Sequence, residues 1–161
     1  MFLILMGVSG CGKTTVGKAL AARLHVPFYD ADNYHAQENL AKMATGIPLT
    51  DSDRAGWLTL LAAMIETETK AGRNGVLACS ALKQSYRDVL VSRSAGNVRF
   101  VYLKGSYDLI LERMQMRGGH FMKPRMLKSQ FEILEEPVDA ITVDISNPVY
   151  MIVQGILDNL L

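Results

Sequence analysis

Apolar residues in this chain alternate between two patterns. Short apolar runs, "FLILM" at Phe2–Met6, "GVLACS" at 75–80, "VRFVYLKG" at 98–105 and "AITVDIS" at 140–146, have the length and density of buried strands. "PFYDAD" at 27–32 is a further short strand, and it ends in acids. Between the runs, apolar positions recur at helical spacing. Val16, Leu20 and Leu24 mark a helix over 13–25, and a short helix around 40–43 stops at Gly46. A long one over 51–72 has Asp51 or Ser52 as its N-cap and Gly72 as its stop. Further helices are predicted over 81–93, 106–117, 125–136 and 148–161, the last with Pro148 near its first turn. The stretch "GGHFMKP" at 118–124 breaks the pattern with two glycines and a proline.

Strands alternating with helices imply right-handed crossovers and a parallel sheet covered on both faces. The expected fold is therefore α/β, in three layers (α/β/α), with a five-stranded parallel sheet. At 161 residues, without repeats, linkers or low-complexity tracts, the chain reads as one domain over 1–161.

Composition narrows the function classes. Lys and Arg total 17 against 16 Asp and Glu, so the net charge of +1 offers no field for nucleic acid or a membrane surface. No run reaches transmembrane length, and the first apolar run lacks a basic leader and passes directly into glycines. The two cysteines, Cys11 and Cys79, form neither a disulfide framework nor a metal set, so the expected location is cytoplasmic.

The glycines after the first run carry the chemistry. "GVSGCGKT" at 7–14 matches G-x-x-x-x-G-K-[ST] between a predicted strand and a predicted helix. Gly7, Val8, Ser9, Gly10, Cys11 and Gly12 would turn tightly and point backbone N–H groups at phosphate oxygens, aided by the following helix N-terminus. Lys13 would reach the β- and γ-phosphates of ATP, and the Thr14 hydroxyl would ligate Mg²⁺. No guanine-reading N-K-x-D follows, which favours a small-molecule kinase with a mobile lid over a GTPase. Around Cys11, Lys13 and the helix N-terminus favour a thiolate, whereas burial opposes one.

Asp30 and Asp32 in "YDADNYH" sit at the C-terminal end of a predicted parallel strand, the functional edge of such sheets. Strand alternation would put both on one side, one near the Mg²⁺ shell and the other as acceptor of a hydroxyl proton. The alternative is an acidic turn with Asp32 as a helix N-cap.

Four further blocks, "DADNYH", "ENLAKMATGIPLTDSDRAGWL", "CSALKQSYRD" and "RGGHFMKPRMLKSQFEILEEP", together with "GVSGCGKT", resemble the gluconate kinases over nearly the whole chain. Ala36 and Gly56 stand where that family usually has proline, and Cys11 where serine is commoner. The resemblance implies a P-loop kinase fold like that of shikimate kinase, with a lid at about 117–124. It implies phosphorylation of D-gluconate at its 6-hydroxyl with MgATP, and it suggests a homodimer. In that frame Lys13 and Asp32 are the catalytic residues, with Thr14 and Asp30 at the metal.

Gluconate needs a cation for its carboxylate and hydrogen-bonding groups for its hydroxyls. Arg54 in "DSDRAGW" is the candidate for the carboxylate, or else an exposed arginine paired with Asp51 or Asp53. His35 and Lys42 could reach the substrate, with a structural role equally open to His35, and Trp57 reads as a packing anchor. Ser80, Lys83 and Arg87 follow the third strand. The last two are four apart and so are expected to share a helix face, and either line the pocket or are solvated. By similarity to shikimate kinase, Arg117 would stack on adenine and Lys123 would meet the phosphates. Gln130 could hydrogen-bond the substrate.

Overall fold

The computed structural model describes residues 1–95, 97–118 and 124–161. In chain order the elements are β1 (Phe2–Met6), α1 (Lys13–Leu24), β2 (Phe28–Asp30), a 3₁₀ turn (Ala31–Tyr34), α2 (Gln37–Ala44), α3 (Asp51–Lys70) and β3 (Gly75–Ala78). They continue with α4 (Gln84–Val91), β4 (Val98–Lys104), α5 (Tyr107–Arg117), α6 (Pro124–Ile133), β5 (Ala140–Asp144) and α7 (Val149–Asp158). The five strands form one sheet in the order β2-β3-β1-β4-β5, and each adjacent pair is parallel.

All five residues of β1 are buried, and alternation divides them between two cores. Leu3 and Leu5 face one core with Val16 and Leu20 of α1 and Ile152 and Ile156 of α7. Phe2, Ile4 and Met6 face the other with Leu58, Leu61 and Ile65 of α3 and Leu90 of α4. This explains why β1 has no polar position: as the central strand it has a helical layer on each face.

Several element ends differ from the sequence expectation. The N-cap of α3 is Thr50, not Asp51 or Ser52. Its side chain accepts from the Asp53 backbone N–H while the Asp53 carboxylate accepts from the Thr50 N–H. The helix after β3, α4, begins at Gln84, because Ala81 takes a left-handed backbone (φ 45°) that breaks the predicted start. β2 stops at Asp30, and α2 starts three residues ahead of Leu40, at Gln37.

Crossing order places the site. β1 lies between β3 and β4, so the loops leaving β1 and β3 meet at the C-terminal edge of the sheet. The Gly7 N–H donates to the Ser80 carbonyl at 3.2 Å, joining the two strand exits.

Candidate active site

The loop after β1 wraps the N-terminus of α1. Gly10 and Gly12 adopt φ of 79° and 97°, a left-handed backbone that L side chains rarely take. A Cβ at Gly10 would also stand 3.0 Å from Met114 of α5, so this turn requires glycine twice over. Lys13 Nζ donates to the Gly7 and Val8 carbonyls at 2.9 and 3.0 Å, holding the ammonium against the loop. The Ser9 N–H donates to Gln130 Oε1 at 2.6 Å, which ties the loop to α6.

The two acids are arranged differently from an extended strand. The chain turns into the 3₁₀ turn directly after Asp30, and Asp30 Oδ1 accepts from the Asp32 N–H at 3.0 Å. Asp30, rather than Asp32, is therefore the cap. Its other oxygen, Oδ2, accepts from the Thr14 hydroxyl at 3.4 Å. Partial desolvation at the cleft wall, then the neighbouring Asp30 carboxylate, raise the Asp32 carboxyl above its ordinary range, while Lys13 pulls the other way.

The third wall comes from α3. Arg54 is buried, and its Nη1 donates to the Leu49 carbonyl at 2.7 Å and to the Tyr86 hydroxyl at 3.2 Å. Its guanidinium lies over the Tyr86 ring, 5.3 Å from the centroid. Among the described residues, its Nε and Nη2 make no hydrogen bond, and the side chain lines the cleft. Arg54 is thus neither exposed nor paired with Asp51 or Asp53. Beside it, His35 stacks on Trp57 with ring centroids 4.2 Å apart, and Trp57 Nε1 donates to the Ala31 carbonyl at 2.7 Å. Burial, then the charge of Arg54, push the His35 pKa down to about 4, so the ring is neutral.

These groups share one cleft of about 310 Å³. Ser9, Gly10, Gly12, Lys13, Thr14, Asp30, Asp32, His35, Arg54, Ser80, Arg117 and Gln130 all line it. A phosphate loop, two carboxylates and a buried guanidinium converge there at the sheet's C-terminal edge.

The shikimate kinase family model matches residues 9–150. A probable gluconokinase of Mus musculus is 47% identical over 151 residues, covering 84% of this chain and 82% of that protein. The thermoresistant gluconokinase of Escherichia coli is 42% identical, covering 96% of this chain and 90% of that one. The crystal structure of a gluconokinase from Sinorhizobium meliloti superposes with a TM-score of 0.89 at 42% identity, over 98% of this chain and 90% of that one. The chain belongs to the gluconokinase family. It is therefore a carbohydrate kinase of the P-loop, nucleotide-using type, in the wider group that the shikimate kinase model describes.

Not every basic residue expected in the pocket of this gluconokinase-family chain is there. Lys42 is held by the Asp53 carboxylate at 2.9 Å and does not line the cleft. Lys83 precedes α4, so it shares no helix face with Arg87, and it pairs with Asp51 at 3.1 Å. Arg87 is 2% exposed and donates to the carbonyls of Ala81, Leu82 and Glu135, so it clamps the backbone and reaches neither cleft nor solvent. Gly7, Val8 and Cys11 belong to the loop without lining this cleft. Cys11 is 1% exposed and borders the second cavity, and burial pushes the Cys79 thiol up to about 12. Lys123, with Gly119, His120 and Phe121 of the expected lid, lies outside the described residues.

Arg113 is the residue that sequence reasoning missed. It lines the cleft and also a second cavity of about 400 Å³, which Arg117, Asn147, Pro148 and Val149 line too. Arg113 Nη2 donates to the Ile145 carbonyl at 2.7 Å, tying α5 to the β5 exit. The available signal was its spacing of four from Arg117 on one helix.

Proposed function

We propose that this chain transfers the γ-phosphoryl group of ATP to the 6-hydroxyl of D-gluconate. The observation that carries the reading is the convergence of Lys13, Asp32 and Arg54 on one cleft in a chain of this family. The phosphates lie along the loop at 7–14, and the adenine lies against Arg117 in the second cavity. Lys13 exchanges its loop carbonyls for β- and γ-phosphate oxygens.

Mg²⁺ suits the donor set, because it keeps several waters and takes few protein ligands beside phosphate oxygens. Thr14 would hold it, with Asp30 near its water shell, and the Thr14–Asp30 contact already brings these oxygens together. When bound, the metal neutralises charge on the phosphates.

Arg54 offers its free guanidinium edge to the gluconate carboxylate, and Ser80 borders the sugar chain. Asp32 accepts the proton of the 6-hydroxyl as that oxygen forms its bond to the γ-phosphorus and the bond to the ADP oxygen breaks. Its raised pKa makes the carboxylate a better proton acceptor than an ordinary one.

The reading includes a cytoplasmic location, supported by two buried free thiols, and the homodimer that the family resemblance suggests. Among the described residues, no helix is long and apolar enough to cross a membrane. A coupled assay of ADP release across a panel of sugar acids and shikimate tests the substrate. Turnover with gluconate well above the others is expected, and a preference for another acceptor would refute it.

A further inference from the structure

His35 and Trp57 form a unit attached to the turn that carries Asp32. The His35 side chain is 3% exposed and its ring lies 13° from parallel with the Trp57 indole, so its plane is fixed. The same indole donates to the carbonyl of Ala31, next to Asp32. One aromatic side chain thereby sets both the imidazole and the acidic turn.

The two ring nitrogens have different surroundings. Nδ1 is buried and has no hydrogen-bond partner among the described residues. Nε2 faces Asp32 Oδ1 at 4.0 Å. A proton on Nδ1 would bury an unpaired N–H, the rarer and costlier orphan. A proton on Nε2 leaves only a lone pair buried and aims the N–H at the carboxylate. At 4.0 Å the pair is outside hydrogen-bond range. The ring is enclosed and stacked on Trp57, whereas the Asp32 side chain is 60% exposed and has room to rotate toward it. Asp30 and Lys13 are the other charged neighbours of Asp32, and Arg54 is the charged neighbour of His35.

We infer that His35, as its Nε2–H tautomer locked by Trp57, is a positioning residue that holds one oxygen of Asp32 so that the other faces the substrate hydroxyl. This rests on the reading of Asp32 as the proton acceptor. It also changes the part assigned to His35, from a ligand of gluconate to a support for the base. Orientation of this kind acts on turnover and not on substrate affinity.

The test compares His35→Gln, His35→Asn and His35→Phe, and repeats His35→Asn in an Asp32→Asn background. The glutamine amide nitrogen sits near the Nε2 position, and the asparagine one near Nδ1. His35→Asn and His35→Phe should lose about 10- to 100-fold in kcat. Their KM for gluconate should stay within about threefold of wild type. His35→Gln should recover most of the loss. In the Asp32→Asn background His35→Asn should cost less than about twofold more, because the group it positions is gone. ADP binding by calorimetry identifies any variant that fails to fold, and the asparagine and glutamine pair carries the test if phenylalanine does. The inference is overturned if glutamine is as slow as asparagine, if the loss falls on KM alone, or if the two losses multiply. Unimpaired His35→Asn beside an inactive Asp32→Asn refutes it while leaving the base assignment standing. Wild-type turnover in Asp32→Asn refutes both.

Discussion

Gln130 Oε1 and the backbone N–H of Ser9, 121 residues apart in sequence, are joined by a hydrogen bond of 2.6 Å. The contact anchors the phosphate loop to α6, the helix that follows residues 119–123. Replacing Gln130 with Ala leaves a part-buried N–H unpaired, at a cost of about 1–3 kcal/mol. Lower thermal stability and a rise of about tenfold in the Kd for ADP are expected. Gln130→Glu keeps the acceptor but adds negative charge beside the phosphates, so its stability should recover while its ADP affinity does not. Calorimetry and thermal melts check both variants.

Lys13 is the ammonium held on the loop carbonyls, within the cleft. Lys13→Ala should abolish phosphoryl transfer while the circular dichroism spectrum stays that of the wild type. Near-normal turnover in a folded variant would remove the phosphate-loop mechanism.

Asp32 and Arg54 should separate kinetically. Asp32→Asn should cut kcat by roughly 10²- to 10⁴-fold, the range of general-base contributions. Loss of a charge-assisted contact in Arg54→Ala should chiefly raise the KM for gluconate, by about 10- to 100-fold. Steady-state kinetics with gluconate varied at saturating MgATP distinguishes the two, and the reverse pattern would exchange their roles.

Arg87 should matter to the fold and not to the substrate. Its guanidinium serves carbonyls of Ala81, Leu82 and Glu135 in a buried setting. Arg87→Met keeps the apolar stem and removes the donors, and should destabilise the protein by about 3 kcal/mol. Urea denaturation measures this. The KM for gluconate of the folded fraction should be unchanged.

His35 should make stability depend on pH. Its pKa is about 4 in the fold against an ordinary 6.5, because burial and Arg54 disfavour the cation. The unfolded chain therefore binds the proton first as pH falls. The stabilisation is complete above about pH 6.5 and is lost progressively toward pH 4, by on the order of 3 kcal/mol. Urea midpoints of wild type and His35→Gln should differ in slope across this window, with the variant the less sensitive.

The linear order of residues was enough for the strand–helix alternation, the phosphate loop and the acids at the β2 exit. Each is a local pattern: apolar runs report burial of β1 on both faces, and "GVSGCGKT" needs only a strand before it and a helix after it. Arg54 and Ser80 were also legible as neighbours of the cleft, since each lies in a block resembling the same kinases. Which charges face the substrate was decided by tertiary structure. Lys42, Lys83 and Arg87 look alike in sequence as pocket cations, yet Asp53, Asp51 and a set of carbonyls that includes Glu135 take them away. Asp51, the partner of Lys83, and Glu135, a partner of Arg87, lie 32 and 48 residues distant, beyond the reach of any spacing rule. Arg113 enters the cleft for the same reason, because packing of α5 against the β5 exit directs it there. Periodicity gives the face of a helix on which a side chain lies, whereas the partner that satisfies a buried charge comes from whichever segment the sheet order brings alongside.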